Sequence, residues 1–235
     1  MSSIIKKLRN SYKVKSFKRF LFNLLPSNIR IQVLGYKDYV GGNFSTHGKM
    51  QLNFLKKIGL KKKSILFDVA CGSLRLGKEA IKYLDSGNYI AIEENSKLVE
   101  LGKKYEVKKE IWNKKKPRII INKSFNFDKF DKFDFAICYS LITHLTLKDT
   151  LNLFKKLKSK MKRNSKIIVT YYEVTNKKNL FELPSHDFNI SHPNRVFRYK
   201  FDFLKKILSK LGYTIKKKIF KNPDKQDCFI VSIKN

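Results

Sequence analysis

The chain has 235 residues, of which 42% are hydrophobic, so it can bury the core of one α/β domain and is not disordered as a whole. Its 52 basic residues outnumber 19 acidic residues for a formal net charge of +33, but only eight of them are arginine, the residue that favours bidentate phosphate recognition. The charge therefore indicates a solvated, lysine-rich surface with weak, salt-sensitive contact to polyanions or an anionic membrane, and argues against a specific nucleic-acid site.

Residues 1–38 form a basic lead in which apolar residues recur at helical spacing until Pro26 interrupts the pattern. Such an amphipathic helix can lie on an anionic membrane or cover the core of its own domain, and we favour the second interpretation. No run has the length of a membrane span, and the first residues lack a secretory apolar region. Cys71, Cys138 and Cys228 lack CxxC spacing, which argues against a zinc site and fits a reducing compartment. We therefore predict a cytoplasmic location, with contact at the inner face of the membrane left open.

From residue 39 onward, predicted strands and helices alternate. Helices are predicted at 50–58, 74–84, 96–109, 146–163 and 201–211, and strands at 65–69, 89–92, 118–121, 133–139, 167–172, 213–220 and 228–233. This alternation predicts a doubly wound, mostly parallel α/β sheet that is covered on both faces. The last two strands are joined by a turn without a helix, so they must be antiparallel. The stretch 174–200 is long for a connection and is predicted to be a substrate-recognition insert.

The first predicted strand ends in the glycine-containing turn 68–77, the kind of turn at which doubly wound folds bind ligands. A P-loop is disfavoured because Glu79 stands where a hydroxyl must hold magnesium. A dinucleotide site is disfavoured because Leu74 replaces a required glycine and Asp68 would lie beside a pyrophosphate. S-adenosylmethionine fits better, because it carries an ammonium and a sulfonium and no phosphate. Asp68 suits those cations, and Glu93 at the next strand end can accept ribose hydrogen bonds.

Three segments in this order resemble the class I S-adenosylmethionine-dependent methyltransferase family: ILFDVACG at 65–72, AIE at 91–93 and FDFAICYSLITHL at 133–145. The segments GGNF at 41–44 and CGSLRLG at 71–77 are similar to those of a bacterial subgroup often encountered with cell-surface glycan genes. The resemblance covers about residues 39–233 and implies one methyltransferase domain. It also implies a seven-stranded sheet whose last strand is reversed.

The resemblance further implies S-adenosylmethionine as cofactor and a set of residues around it. It places Asp68, Ala70, Cys71, Gly72 and Leu74 at the methionine end, Glu93 at the ribose, Ser124 and Phe125 at the adenine, and Tyr139 and Ser140 beside the methyl group. The wider family usually has glycine at position 70 of this turn, and it often has glycine at position 74. The implied reaction is O-methylation of a sugar, glycan precursor or related small molecule. An RNA or other nucleic-acid methyltransferase and a non-catalytic scaffold that binds S-adenosylmethionine are the alternatives.

Candidate catalytic residues follow the predicted fourth strand and lie in the insert. Methyl transfer is an in-line displacement, and a base is needed only for weakly acidic hydroxyls. His144 is the first candidate base, with capping of the next helix as its structural alternative, and Tyr139 and His186 are the others. We assign no metal ligands. The remaining candidates for acceptor contact, each with a packing or surface-loop alternative, are Trp112, Tyr171, Tyr172, Asp187, His192, Arg195, Arg198 and Tyr199.

Overall fold

The computed structural model describes residues 22, 24–174, 181–182 (backbone alone) and 196–233. The chain divides into two compact units, residues 1–43 and 44–235. In the first unit, helix α1 (Ser27–Leu34) begins directly after Pro26, and a single turn, α2 (Tyr36–Tyr39), follows it. The amphipathic helix predicted before Pro26 lies almost entirely outside the described residues. Nowhere in the described ranges does a helix have the length and apolar character that a membrane crossing needs.

The second unit contains the predicted alternation of helices and strands. Its helices are α3 (Phe44–Lys57), α4 (Gly77–Tyr83), α5 (Ser96–Glu106), α6 (Lys109–Lys115), α7 (Leu147–Ser159) and α8 (Phe201–Lys210), with a 3₁₀ turn at Ile142–His144. Its strands are β1 (Leu66–Val69), β2 (Tyr89–Glu93), β3 (Arg118–Ile121), β4 (Phe133–Cys138), β5 (Met161–Glu173), β6 (Phe181–Glu182), β7 (Arg198–Tyr199), β8 (Tyr213–Lys218) and β9 (Asp227–Ile233).

The main sheet has the strand order β3-β2-β1-β4-β5-β9-β8. The first five of these strands are parallel, and β9 runs antiparallel to both β5 and β8. The prediction of a mostly parallel, seven-stranded sheet with a reversed last strand is therefore confirmed. The short strands β6 and β7 pair with each other, and β7 extends along the end of β5.

The sheet is buried on both faces, as strand β1 illustrates. Phe67 and Val69 belong to one hydrophobic cluster, and Leu66 belongs to a second cluster. Successive side chains of a strand point to opposite faces, so the two clusters lie on the two sides of the sheet. Helix α7 contributes Phe154 to the first cluster, and α3 contributes Leu55 to the second. Helices thus cover both faces and leave the strand ends as the place for a ligand.

Two helical features differ from the prediction. Helix α3 begins at Phe44, six residues before the predicted start, because its polar first half still has a buried face on which His47 and Gln51 precede Leu55 at helical spacing. Helix α6 was not predicted at all. Lys116 ends it in the left-handed conformation, which a sequence pattern rarely signals for lysine.

Strand β5 begins at Met161, inside the segment that was predicted to end helix α7. The extra length is polar, and its pairing with β4 shifts register next to Phe133. The Ser165 hydroxyl satisfies this irregular stretch, because it donates to the Phe133 carbonyl (2.5 Å) and accepts from the Lys162 amide (2.7 Å). The start of β5 is held by side-chain hydrogen bonds in place of regular strand pairing, so its sequence lacks the alternation of apolar and polar residues by which a strand is recognised.

Candidate active site

The candidate site lies where strands β1, β2 and β4 end and β9 begins. Because β9 is antiparallel, its first residues lie at the same edge as the carboxyl ends of the parallel strands; Asp227 pairs with Tyr171 near the end of β5. Strand β1 has β2 on one side and β4 on the other, so the strand order reverses there. In open α/β sheets, this reversal opens the crevice in which ligands bind.

The turn after β1 has an unusual backbone. Ala70, Gly72 and Leu74 have φ angles of 61°, 56° and 63°, in the left-handed region. For a residue with a Cβ atom this conformation costs about 1–2 kcal/mol, whereas glycine adopts it freely. The strain explains why glycine suits positions 70 and 74. The Leu74 side chain is fully buried in the core, so only the backbone of Leu74 could meet a ligand, and the contact of Leu74 with the methionine end stays a prediction.

Neighbouring helices hold this turn in place by direct backbone packing. A Cβ atom on Gly102 of α5 would overlap the Ser73 carbonyl oxygen, and one on Gly48 of α3 would overlap the Arg75 carbonyl oxygen. Both glycines therefore allow a helix to touch the turn backbone without a side chain between them. The turn shape is fixed from two sides before any ligand arrives.

Glu93, at the end of β2, is 7% exposed and already oriented by the backbone. Its Oε2 atom accepts from the Gly72 amide (2.8 Å), and its Oε1 atom accepts from the Asn95 amide (3.0 Å). Burial raises the pKa of Glu93, and the two amide hydrogen bonds oppose that rise. A carboxylate has about four acceptor positions, so Glu93 can still accept from a ligand.

Asp68, at the end of β1, is 5% exposed. Its Oδ2 atom accepts a hydrogen bond from the Tyr89 hydroxyl at 2.7 Å. Burial raises the pKa of Asp68 to about 7; the Tyr89 hydrogen bond lowers it, the nearby charge of Glu93 raises it and that of Arg75 lowers it. A cation placed beside this carboxyl would be favoured, because it would stabilise the ionised form.

A group of four polar side chains, which we call the Arg75 cluster, lies on the β4 side of the turn: His47, Arg75, Tyr139 and Asp224. The Arg75 guanidinium donates to His47 Nδ1 (2.9 Å) and lies over the Tyr139 ring, 5.3 Å from its centroid. The Tyr139 hydroxyl donates to Asp224 Oδ2 (2.7 Å). Burial, then this hydrogen bond, raises the pKa of Tyr139, so its phenol stays protonated near neutrality. The sequence interpretation had singled out only Tyr139 from this cluster.

Ser140, beside the expected methyl position, is held by strand β5 and by the residue just before β9. It has a φ of 59°, its amide donates to Thr170 Oγ1 (2.7 Å), and its hydroxyl accepts from Gln226 Nε2 (2.6 Å). The other amide atom of this glutamine, Oε1, is buried and has no hydrogen-bond partner among the described residues. The position of Ser140 is thus determined by hydrogen bonds from two neighbouring segments.

The turn after β3 holds the two residues that the resemblance assigns to adenine. Asn122 organises the turn, because its Oδ1 atom accepts from the amides of Ser124 (2.8 Å) and Asn126 (3.1 Å). Ser124 is exposed, and Phe125 is half-buried with a φ of 52°. These features leave an open turn beside β2, and the adenine contact stays a prediction.

His144 ends the 3₁₀ turn that follows β4 and is half-buried. The N-cap residue of helix α7 is Thr146, whose hydroxyl accepts from the Asp149 amide (3.1 Å). Both interpretations of His144, a catalytic base and a residue that helps to cap or orient this helix, stay predictions. His186, together with Asp187, His192 and Arg195, lies outside the described residues.

The structure also places the aromatic candidates for acceptor contact. Tyr171 is fully buried and donates to Glu173 (2.5 Å), so the expectation that it stacks on a ligand is wrong. Tyr172 is half-buried beneath the Arg198 guanidinium, 5.1 Å from its ring centroid. Tyr199 is buried and donates to the Leu145 carbonyl. Within the described ranges, no three His, Cys, Asp or Glu side chains group to hold a metal ion.

Solved structures with the same architecture include several methyltransferases. The PH0226 protein from Pyrococcus horikoshii OT3 superimposes with a TM-score of 0.62 at 14% identity, covering 92% of this chain and 99% of that one. The magnesium protoporphyrin IX methyltransferase ChlM from Synechocystis PCC 6803, with bound SAH, gives 0.60 at 14% identity and 99% coverage of both chains. The glycopeptide N-methyltransferase MtfA, complexed with S-adenosyl-L-methionine, gives 0.60 at 12% identity, covering 80% of this chain and 94% of MtfA.

Comparison with protein-family models gives no match, and comparison with curated proteins gives none either. The superpositions on PH0226 and ChlM cover nearly the whole chain. The chain therefore has the class I methyltransferase fold.

Proposed function

We propose that this protein is an S-adenosylmethionine-dependent methyltransferase. The observation that carries the proposal is the pair of buried carboxyl groups, Asp68 and Glu93, on either side of the turn after β1. The pair lies at the reversal of strand order in a class I methyltransferase fold. A phosphate-bearing nucleotide would meet two acidic groups there, whereas S-adenosylmethionine brings positive charge to them.

The residues present fit this cofactor. Asp68 is buried, and its carboxyl accepts from one neutral donor among the described residues, so the ammonium of the methionine end would supply the missing charge. Glu93 keeps acceptor positions for the ribose hydroxyls, and Gly72 leaves room for close approach to the backbone. When bound, the cofactor supplies an electrophilic methyl group on its sulfonium.

The acceptor that we propose is a hydroxyl of a sugar, glycan precursor or related small molecule. This rests on the resemblance to a glycan-associated subgroup, since MtfA and ChlM are named for two chemically different acceptors, a glycopeptide and magnesium protoporphyrin IX. His144 follows β4, next to the predicted methyl position, and would take the proton from the attacking hydroxyl. Ser140, fixed by Thr170 and Gln226, would orient that hydroxyl. The proposed setting is the cytoplasm, with the basic lead available to an anionic membrane surface.

Binding measurements on Glu93 test the cofactor assignment. We expect wild-type protein to bind S-adenosylmethionine with a Kd in the micromolar range and Glu93→Ala to weaken binding by at least about tenfold. Glu100→Ala is the matched control, because that glutamate is 61% exposed on α5 and should leave the affinity unchanged. Folded wild-type protein that shows no binding would overturn the proposal.

An acceptor screen then separates the proposed substrate from RNA. Methyl transfer from labelled S-adenosylmethionine to nucleotide sugars, with loss of turnover but retained cofactor binding in His144→Ala, supports the glycan assignment. Methyl transfer to a cognate RNA that exceeds transfer to a scrambled RNA would replace the glycan assignment with RNA. RNA binding that falls steeply with salt and does not depend on sequence would reflect the lysine-rich surface alone.

A further inference from the structure

We propose that Arg75 binds the α-carboxylate of the cofactor and that His47 positions the Arg75 guanidinium. The inference rests on the proposed function, because it assigns two more residues to the same S-adenosylmethionine site. Neither residue was selected from the sequence as a ligand contact. Both enter the argument through the contacts that the fold creates between distant segments.

Arg75 lies where the methionine end of the cofactor is expected. Arg75 belongs to the turn between β1 and α4, and its guanidinium lies 5.3 Å from the ring centroid of Tyr139, which directly follows β4. Arg75 therefore spans the two strands between which the strand order reverses. That crevice is where the methionine end of the cofactor must lie if its ammonium meets Asp68.

The charges of Asp68 and Arg75 complement those of the cofactor. The methionine end is a zwitterion whose ammonium and carboxylate are attached to the same carbon atom. A site for it needs an anionic and a cationic group side by side. Within the described part of the chain, Arg75 is the cation whose charge lowers the pKa of Asp68. A guanidinium also matches a carboxylate in shape, because its planar fork can donate two parallel hydrogen bonds.

His47 is a buried histidine that contacts the Arg75 guanidinium. His47 is 0% exposed, and its Nδ1 atom accepts from the guanidinium, so a neutral ring carries its proton on Nε2. Burial, then the charge of Arg75, lowers the pKa of His47, against Asp224, which raises it. No described residue accepts from the buried Nε2 atom. A buried donor without a partner costs stability, and an apolar residue at position 47 would avoid that cost. We therefore explain the histidine by the hydrogen bond that its Nδ1 atom accepts from the Arg75 guanidinium.

Helix α3 supports this role with its backbone as well. Gly48, next to His47, touches the Arg75 carbonyl oxygen so closely that a Cβ atom would overlap it. One helix thus contacts both ends of the arginine, its carbonyl and its guanidinium. Asp224 also belongs to this cluster: its Oδ2 atom accepts a hydrogen bond from the Tyr139 hydroxyl and lies 3.8 Å from His47 Nδ1. The guanidinium is consequently oriented before the cofactor binds, which reduces the entropy lost on binding.

The test compares two ligands that differ only in the carboxylate: S-adenosylmethionine and decarboxylated S-adenosylmethionine. Calorimetry should show that wild-type protein prefers the intact cofactor by about 30-fold or more, the range of a charge-assisted bidentate pair. Arg75→Met should reduce the preference to within about threefold, by weakening the intact cofactor far more than the decarboxylated one. Arg118→Met, which removes a half-exposed arginine paired with Asp131, is the matched control and should keep the preference.

Substitutions of His47 test the positioning role. His47→Asn keeps an acceptor at the place of Nδ1 and should retain most of the preference, whereas His47→Leu should lose most of it. Arg75→Lys should keep an intermediate preference, which guards against a variant that fails to fold. Equal weakening of both ligands by Arg75→Met would overturn the inference, as would equal losses in His47→Asn and His47→Leu. Wild-type protein that binds neither ligand would overturn the proposed function itself.

Discussion

The ends of β1 and β2 each bury one carboxyl group, and the two groups are held differently. Glu93 accepts hydrogen bonds from two backbone amides, whereas Asp68 accepts one from a tyrosine hydroxyl. The amide of Gly72, in the turn after β1, and that of Asn95, just after β2, fix the orientation of Glu93 without any ligand. Asp68 is buried to the same degree, yet its pKa is raised to about 7 because little in its surroundings replaces water. One group is thus organised in advance, and the other awaits a positive charge.

The largest effect should come from removing the charge of Asp68. Its pKa rises from 3.8 when unfolded to about 7 when folded, so the folded protein binds more protons between these values. The free energy of unfolding therefore falls as pH rises through this window, by an amount on the order of 4 kcal/mol. Asp68→Asn lacks this loss. Without cofactor, its stability relative to wild type should increase from about pH 4 to about pH 8 in urea unfolding.

A flat difference between the two unfolding curves across this pH range would show that Asp68 is not buried as described. Asp131→Asn is the control substitution, because this carboxyl is 68% exposed and should leave the pH dependence unchanged.

The next effect concerns Glu93, where the neutral amide substitution should lower the stability of the protein, in contrast to Asp68→Asn. Glu93→Gln places an NH₂ group against one of the two backbone amides, at Gly72 or at Asn95. A buried donor left facing a donor costs about 1–3 kcal/mol, so the variant should unfold at a lower temperature than wild type at neutral pH. Glu93→Gln that matches Glu100→Gln in thermal unfolding would contradict the hydrogen bonds at the end of β2.

The smallest effect lies in the turn between the two carboxyl groups. Ala70 is exposed and left-handed, with a φ of 61°. Ala70→Gly removes the Cβ strain but adds freedom to the unfolded chain, so we expect a net stabilisation of about 0.5–1 kcal/mol. Lower stability in denaturant unfolding would show that the turn has another conformation. Ser86→Gly, in another exposed turn, provides a control for the entropy of an added glycine.

Much of the fold followed from local patterns. Buried runs such as β1 and β2, broken by polar turns, predicted the parallel sheet, and a helix-free connection predicted the antiparallel pairing of β8 with β9. Asp68 and Glu93 were identifiable for the same reason, because each ends a buried strand and strand ends meet at one edge. Local periodicity fixes such positions without knowledge of distant contacts.

The Arg75 cluster could not be found in this way. His47 is 28 residues from Arg75, and Tyr139 is 85 residues from Asp224, so these contacts exist only after the sheet has formed. In the sequence, His47 follows Ser45 and Thr46 and looks like part of a polar loop. Its burial became visible only when α3 proved to extend back to Phe44. Polar residues on a buried helix face interrupt the apolar pattern on which such predictions depend.

The most direct test of the central claim is the number of protons released when S-adenosylmethionine binds. Calorimetry in buffers of different ionisation enthalpy, at about pH 6 and about pH 8, gives this number. If Asp68 receives the cofactor's positive charge, wild-type protein should release close to one proton more than Asp68→Asn at about pH 6. At about pH 8 that difference should nearly vanish, because Asp68 is already ionised and any proton taken up by the cofactor's amino group is common to both proteins. Tight binding with the same proton count in wild type and Asp68→Asn would contradict the account.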